Sequence, residues 1–295
     1  MAELTRTGER PAPGRGARGG GRPRQPGRVA TGVRAYGMIS AMWVRSALAY
    51  PASFVLMALA AFAVTGLDFV VILLMFSRVD ALGGYGLGEI AFLYGLSSTA
   101  FGLCDLVLGS TRRLGERVRD GTFDTLLVRP APVLAQIAAD QFSMNRLGRI
   151  AQGLFVLAYG LFAVDVQWGV VKVAAVPFMV LSGAGIFAAV YVAGAAFQFL
   201  ALDGAEVENA FTYGGQTMLQ YPPTLFTKDV LRAVTFVLPL SFVNWVPAAY
   251  VLGRPLPLGL PGWCALLPPV VAAACLALAG LGWRAGLRSY RSTGS

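Results

Sequence analysis

The chain of 295 residues is 56% hydrophobic and 13% charged, and its mean hydropathy is +0.63. This composition excludes an ordinary soluble domain and predicts a membrane protein built from long apolar helices. The formal net charge is +9, with no histidine and only three cysteines, which lack CxxC spacing. We therefore expect no His-based catalysis and no Cys/His metal site. The positive charge lies in the N-terminal tail and beside the apolar segments, which indicates membrane topology rather than nucleic-acid binding.

Residues 1–32 are rich in glycine, proline and arginine and include the run RPAPGRGARGGGRPRQPGR. Large apolar side chains are almost missing, so folding could not offset the entropy of ordering, and we predict a disordered tail. The segment lacks the apolar core of a cleaved leader, and its arginines favour the cytoplasmic side of the membrane.

A helix is predicted from Val33 to Tyr50, before the first long apolar segment. The apolar positions that recur at helical spacing are Tyr36, Ile39, Trp43 and Ala47. This pattern predicts an interfacial helix along the cytoplasmic leaflet. The alternative is that the segment simply begins the first transmembrane span.

Six transmembrane spans are predicted, because an apolar helix of about 20 residues crosses the hydrocarbon core. The first four lie at about 51–76, 87–108, 147–164 and 170–200. The fifth is either 233–253 or 204–220. We prefer 204–220, with the proline-broken segment 221–253 re-entering from the outer side. The sixth lies in the uncharged stretch 255–283. Basic residues after spans two and six place the loop between spans two and three, and both chain ends, in the cytoplasm.

Asp68, Glu89, Asp105 and Asp165 are acidic residues in or near the first four predicted spans. Asp68 lies well inside span one, where a local polar contact is the expected role and a proton pathway is the alternative. Glu89, Asp105 and Asp165 lie near span ends, where we expect solvated helix caps. The sequence has no GxxxxGKS/T phosphate loop, no GxSxG and no HExxH motif. We therefore expect no catalysis in this chain.

The loop after span two carries a recognisable motif. The segment GERVRDGTFDTLLVRPAPVLAQ, residues 115–136, resembles the first cytoplasmic loop of ABC-2 type permeases, the membrane subunits of ATP-driven exporters. The residues that fit that pattern are Gly121, Thr122, Phe123, Asp124, Leu126, Leu127 and Pro130. The segment 221–253 and the C-terminal GLRSYRSTGS are similar to a bacterial, viologen-exporter-like subgroup. Where that subgroup has proline and tryptophan, this chain has Thr227, Asp229 and Val230.

The resemblance implies an all-α polytopic membrane protein over residues 33–295. It has six transmembrane helices, an N-terminal interfacial helix, a cytoplasmic coupling-helix loop and external re-entrant helices before the last span. The implied partners are an ABC ATPase, which binds ATP and Mg, and a second permease, a related but different chain with a homodimer as the alternative. The resemblance also implies contact with membrane lipid and a location in a bacterial cytoplasmic membrane. The chain itself is expected to bind no cofactor.

The resemblance also assigns roles to residues. The predicted ATPase-docking residues are Arg117, Arg119, Asp120, Gly121, Thr122, Phe123, Asp124, Leu126, Leu127 and Pro130. Leu114 and Val118 are expected to join Phe123, Leu126 and Leu127 as the apolar anchor for the partner. The alternative is a loop whose charges merely enforce topology. The implied substrate is an amphiphilic, lipid-like or toxic organic compound, with Asp68, Asn209 and Tyr213 as candidates for its path. An ion-coupled carrier and a non-transporting scaffold are the competing functions.

Overall fold

The computed structural model describes residues 28–141, 143, 146–201 and 204–290. Helices connected by turns make up these residues, and no β-strand occurs among them. The α-helices in this part of the chain are α1 (Arg28–Leu48), α2 (Pro51–Phe76), α3 (Leu87–Leu108), α4 (Leu114–Arg119), α5 (Asp124–Leu127), α6 (Val133–Ala139), α7 (Arg146–Ala163), α8 (Val170–Phe197), α9 (Gly204–Leu219), α10 (Lys228–Arg232), α11 (Trp245–Leu252) and α12 (Pro268–Ser289). The predicted disordered tail falls outside the described residues up to residue 27, and α1 begins at Arg28 rather than Val33.

The first two helices are separate elements. The backbone leaves the helical conformation at Tyr50, with φ −127° and ψ 70°, and Pro51 opens α2. Proline suits a first helical position because its fixed φ is helical and its missing N–H has no partner there. The prediction of a distinct helix before the first span is confirmed, whereas its place at a membrane interface stays a prediction.

Four helices within the described residues are long and apolar enough to cross a membrane. They are α2, α3 with its continuation to Arg119, α8 and α12. A bent helical pair raises the number to five if it is counted as one span, so the predicted count of six is not reached. The predicted third span does form a helix, α7, of 18 residues, but Arg146 and Arg149 occupy its first turn. Similarly, Glu206, Glu208 and Asn209 make α9 too polar for a clear span.

The proline-broken segment forms two helical pieces, Lys228–Val237 and Leu240–Leu252, bent by 82°. Leu238 is extended, and Pro239 follows it without a backbone donor, so the helix cannot continue through this pair. A broken span and a re-entrant loop share this geometry. The preferred re-entrant arrangement therefore stays a prediction.

The last long helix begins later than the sequence pattern indicates. Residues 255–267 form two short 3₁₀ turns, Pro257–Gly259 and Gly262–Leu266, and α12 opens only at Pro268. Repeated prolines in this stretch interrupt the backbone hydrogen-bond ladder, although the side chains are uniformly apolar. The sixth span is predicted within this stretch, and the part of α12 from Pro268 to Trp283 lies there, whereas residues 255–267 do not join the helix.

The core of the molecule lies where α3, α7 and α8 pack together. Glycines allow the closest approach: a Cβ added to Gly95 would lie 2.3 Å from Cα of Leu157, and one added to Gly160 would lie 2.5 Å from the backbone nitrogen of Phe92. Small residues at such contacts let helix backbones meet where lipid removes any hydrophobic drive for association. The consequence is a rigid central group of helices, to which the loop after α3 is attached.

Candidate functional site

The segment that carries the sequence motif, residues 109–141, is here called the 109–141 loop. It continues α3 through a 3₁₀ turn, Gly109–Arg113, into α4, α5 and α6. Gly121 has φ +67°, a left-handed conformation that glycine adopts without strain. This residue reverses the chain between α4 and α5, and the amide of Phe123 donates to the carbonyl of Arg117 at 3.1 Å. Asp120, Gly121 and Thr122, which are a turn or helix-break signal in the sequence, therefore form a turn between two short helices.

The apolar side chains of the loop are buried inside the chain itself. Phe123 is fully buried, and its ring centroid lies 4.7 Å from that of Tyr290 and 5.4 Å from that of Phe199. The same apolar cluster contains Leu114, Val118, Leu126, Ile137, Ala189, Val192, Ala195, Ala196, Ala279 and Trp283. The expectation that Phe123 and Leu126 face a partner protein is thus wrong for their side chains. They attach the loop to α8 and α12 instead.

A different part of the loop is exposed. Leu127 is 44% exposed and Val128 is 84% exposed, and Arg129 and Pro130 beside them are also exposed. We call these four residues the exposed tip. Arg119, Asp120 and Thr122 are exposed as well, whereas Arg117, Gly121 and Asp124 are half-buried. Val128 is not part of the sequence motif. It follows Leu127 at the end of α5, where no other part of the described chain covers its side chain.

Asp105 near the end of α3 is surrounded by cations, although a solvated cap was expected. Its carboxylate is 2% exposed and lies 3.3 Å from Arg112 Nη2, 3.4 Å from Arg149 Nη1 and 3.5 Å from Arg146 Nε. The hydroxyl of Tyr191 donates to the same carboxylate at 2.9 Å. The prediction is wrong because α7 and α8 enclose this end of α3. A charge buried this deeply requires such partners.

Aromatic rings complete this group. Arg112 lies 4.8 Å from the ring centroid of Tyr213, and Arg149 Nη1 donates to the Tyr213 hydroxyl at 3.3 Å. A guanidinium above an aromatic face is attracted by the ring quadrupole. We call Asp105, Arg112, Arg146, Arg149, Tyr191 and Tyr213 the Asp105 cluster. It joins the beginning of the 109–141 loop to α3, α7, α8 and α9.

A second set of polar contacts runs between the loop and the helices. The backbone amide of Gly115 donates to Gln198 Oε1 at 2.7 Å, and Gln198 Nε2 donates to Glu208 Oε2 at 2.7 Å. Gln198 and Glu208 are both buried. On the far side of the loop, the Tyr290 hydroxyl donates to Asp124 at 2.9 Å. Burial is the main cause that raises the pKa of Tyr290, and this hydrogen bond is the second. Sequence reasoning missed Gln198 and Glu208, because isolated polar residues beside an apolar run carry no pattern.

The three candidates for a substrate path do not form one site. Tyr213 belongs to the Asp105 cluster, Asn209 lies one turn before it on α9 and is half-buried, and Asp68 is exposed on α2. A separate apolar cavity of about 520 Å³ lies between α2 and α7. Its lining includes Phe62, Phe69, Phe155 and Tyr159, with Gln152 as a polar member, but not Asp68.

The opposite end of α3 has an ion pair of its own. Glu89 accepts from the amide of Gly86 at 3.0 Å, so it does cap the helix, and it also pairs with Arg254 Nη2 at 2.8 Å. The hydrogen bonds to Glu89 raise the pKa of Arg254. Asp165, in contrast, is exposed between α7 and α8, as predicted. We call Glu89 and Arg254 the Glu89 clamp.

Comparison with known proteins gives one finding. A family model described as ABC-2 family transporter protein matches residues 62–294, which include the whole 109–141 loop and the Asp105 cluster but not α1. Neither the curated proteins nor the solved structures give a match.

Proposed function

The chain belongs to the ABC-2 family of transporter proteins and is a membrane permease of an ABC transporter, and on that premise we propose how it is powered. It receives motion from a separate ATPase subunit through the 109–141 loop and exports an amphiphilic compound. ATP and Mg are bound by that ATPase, and a second permease completes the path across the bilayer.

The observation that supports this proposal is the attachment of the loop to the membrane helices. The loop has no core of its own, since Phe123 packs against Phe199 and Tyr290. Gly115 is bonded to Gln198, and Arg112 to Asp105. A displacement of the loop therefore requires α8 and α12 to move with it, or these buried contacts to break. Packed elements of this kind shift as units rather than deforming continuously.

The exposed tip is the surface we propose for the ATPase. Leu127 and Val128 offer apolar area, and Arg119, Asp120 and Arg129 surround it with both signs of charge. Apolar contacts at the centre of an interface supply affinity, and charged groups at the rim set orientation and partner choice. We therefore keep the docking role for the loop but assign it to the exposed tip instead of to the buried side chains of Phe123 and Leu126. The loop and both chain ends lie in the cytoplasm in this arrangement.

The cavity between α2 and α7 is the candidate contact for substrate. Its lining is apolar and aromatic, and it opens beside α2, the helix that is least covered by the rest of the chain. An amphiphile dissolved in the bilayer reaches such a surface without crossing water. This apolar lining supports an amphiphilic substrate.

Co-purification with an ABC ATPase co-expressed from a neighbouring gene tests the proposal. The variant is Leu127→Asp combined with Val128→Asp, and the control is Val79→Asp, a residue 43% exposed in the turn after α2. We expect the double variant to elute like the native chain and to retain less than about a tenth of the ATPase, because burying two unpaired carboxylates in an interface costs more than about 1.4 kcal/mol. The control should retain all of it.

If the double variant keeps the ATPase, the tip is not the docking surface. If the native chain binds no ATPase while its fold is intact, an ion-coupled carrier becomes the better account. In that case Asp68→Asn should abolish proton-dependent transport.

A further inference from the structure

A second cavity, separate from the one beside α2, lies between α1, the beginning of the 109–141 loop and α7. Its volume is about 420 Å³. The lining residues are Trp43, Ser110, Arg113, Gln141, Ser143 and Arg146. We call it the Trp43 cavity. The hydroxyl of Tyr36 on α1 donates to the carbonyl of Val107 at 3.3 Å, which holds α1 against the end of α3 and fixes this wall.

Two buried polar groups in the lining have no hydrogen-bond partner among the residues that the structure describes. They are the indole nitrogen of Trp43 and the hydroxyl of Ser110, and Ser110 as a whole is only 5% exposed. An indole N–H only donates, and a hydroxyl can donate. Buried polar groups without partners are rare and costly, so each one calls for an explanation. Both residues belong to the lining of the same cavity, and each has a donor to offer to an acceptor bound there.

Two guanidinium groups line the cavity beside these donors. Arg113 is oriented by bonds from Nε to Glu116 at 3.1 Å and from Nη1 to Gln141. Arg146 is oriented by a bond from Nη1 to the carbonyl of Asp105 at 2.8 Å. A guanidinium has five N–H groups, so each arginine keeps donors beyond these bonds. Glu116 and Asp105 face the arginines from outside, and none of the six described lining residues carries a carboxylate.

We propose that the Trp43 cavity binds a phosphate group. Two guanidiniums, one on the 53% exposed side chain of Arg113 and one on the 15% exposed side chain of Arg146, join an indole N–H and a hydroxyl as a set of donors. Such a set suits an anion with several oxygens, and arginines match the oxygens of phosphate in particular. The side-chain oxygen of Gln141 does not compete for these donors with a bound anion, because it already accepts a hydrogen bond from Arg113.

The position of α1 indicates where the phosphate comes from. Its exposed residues include the apolar Val33, Met38, Met42 and Leu48, each more than half exposed, together with Arg34 and Arg45. A helix with this surface lies along a bilayer, where an apolar face meets acyl chains and nearby donors meet headgroups. The headgroup of an anionic phospholipid then bridges α1 and the 109–141 loop. Free inorganic phosphate is the soluble source with the same chemistry.

Lipid titration of the full-length protein tests this site. Delipidated protein in detergent is titrated with phosphatidylglycerol and with diacylglycerol of the same chains, and bound molecules are counted by native mass spectrometry. We expect binding of the phospholipid and not of diacylglycerol. Inorganic phosphate is tested separately, as a competitor and alone by calorimetry.

Matched variants connect any binding to the cavity. Trp43→Phe removes the N–H and keeps a ring, and Arg113→Gln removes a charge. The controls are Trp263→Phe, 64% exposed between α11 and α12, and Arg232→Gln, whose side chain is 63% exposed. We expect Trp43→Phe to weaken phospholipid binding about fivefold or more, as for a lost hydrogen bond to a charged group. Arg113→Gln should weaken it further, and the controls should not.

The outcomes separate the sources. Displacement by inorganic phosphate without strong binding of phosphate alone assigns the site to a lipid headgroup. Tight binding of inorganic phosphate with the same dependence on Trp43 assigns it to a soluble phosphate. Binding that is equal in the native chain, Trp43→Phe and the controls, or no binding of either ligand, overturns the proposal. If Arg113→Gln does not fold, the comparison of Trp43→Phe with Trp263→Phe decides alone.

Discussion

The helices α2 and α3 are neighbours in the chain, yet they occupy opposite environments. α2 is the more apolar of the two, but only 11% of the residues in its most apolar stretch are buried, against 83% for α3 and its continuation. In water this order would be surprising. In a membrane, lipid satisfies an apolar surface, so hydrophobicity does not decide which helix lies inside. Small and polar residues such as Gly95, Ser97 and Gly102 distinguish the inner helix.

The inner helix α3 and the outer helix α2 suit different parts of a permease's work. A permease needs an inner group of helices that holds together under load, and a surface that lipid, substrate or a second permease can contact. α3, tied to the loop through the Asp105 cluster, belongs to the first kind. α2, which forms one wall of the apolar cavity, belongs to the second. Substitutions matched between the two helices test this division.

The largest difference is expected between two carboxylates. Asp105→Asn removes the one negative charge that the described residues place among three guanidiniums, and breaking a buried ion pair on one side typically costs about 3 kcal/mol or more. Asp68→Asn on the exposed face of α2 should change the free energy of unfolding by less than about 0.5 kcal/mol. Thermal unfolding in detergent, followed by intrinsic fluorescence, measures both. Equal shifts would contradict the division between the helices.

Two glycines provide the next comparison. A methyl group added to Gly95 would lie 2.3 Å from Cα of Leu157, whereas one added to Gly66 on α2 meets nothing within 4 Å. We expect Gly95→Ala to destabilise the protein by about 1–3 kcal/mol, because the packed backbones must separate. Gly66→Ala should be neutral or slightly stabilising, since alanine is the better helix former. The same melting experiment applies, and a harmless Gly95→Ala would show that α3 and α7 are loosely packed.

The smallest effect is expected at the opposite end of α3, in the Glu89 clamp. Its side chains are 18% and 37% exposed, so solvent weakens the pair. Arg254→Gln should cost about 1 kcal/mol or less, and the loss should shrink as salt is raised. Arg232→Gln is the control, because its pair with Asp229 is more exposed still. A cost as large as that of Asp105→Asn would mean that burial does not set the strength of these ion pairs.

Much of the fold follows from composition and motif. The separate helix before the first span, the helices at the first four predicted spans and the turn at Gly121 were all predictable from apolar length, proline and glycine. The prediction was weaker where polarity and helix formation disagree. α9 is helical despite Glu206 and Glu208, and residues 255–267 are not one helix despite their apolar character.

The candidate site was only partly predictable. The motif located the 109–141 loop, but the same apolar residues suit a partner protein or the chain's own core, and only the packing around Phe123 distinguishes these. Asp105 looked like a helix cap because its arginine partners come from residues that are 7 to 44 positions away. Contacts over such separations leave no local pattern, and Gln198 and Glu208 were missed for the same reason.

Hydrogen exchange in the 109–141 loop tests the central claim, that this loop is part of the helical core. In the native chain we expect the amides of α4 and α5, including that of Gly115, to exchange about as slowly as those of α8, and far more slowly than the exposed turn at 78–84. Asp105→Asn should speed their exchange at least about tenfold, which corresponds to 1.4 kcal/mol of local stability. Native loop amides that exchange as fast as those of the turn would contradict the account, because a loop that opens freely cannot transmit motion to α8 and α12.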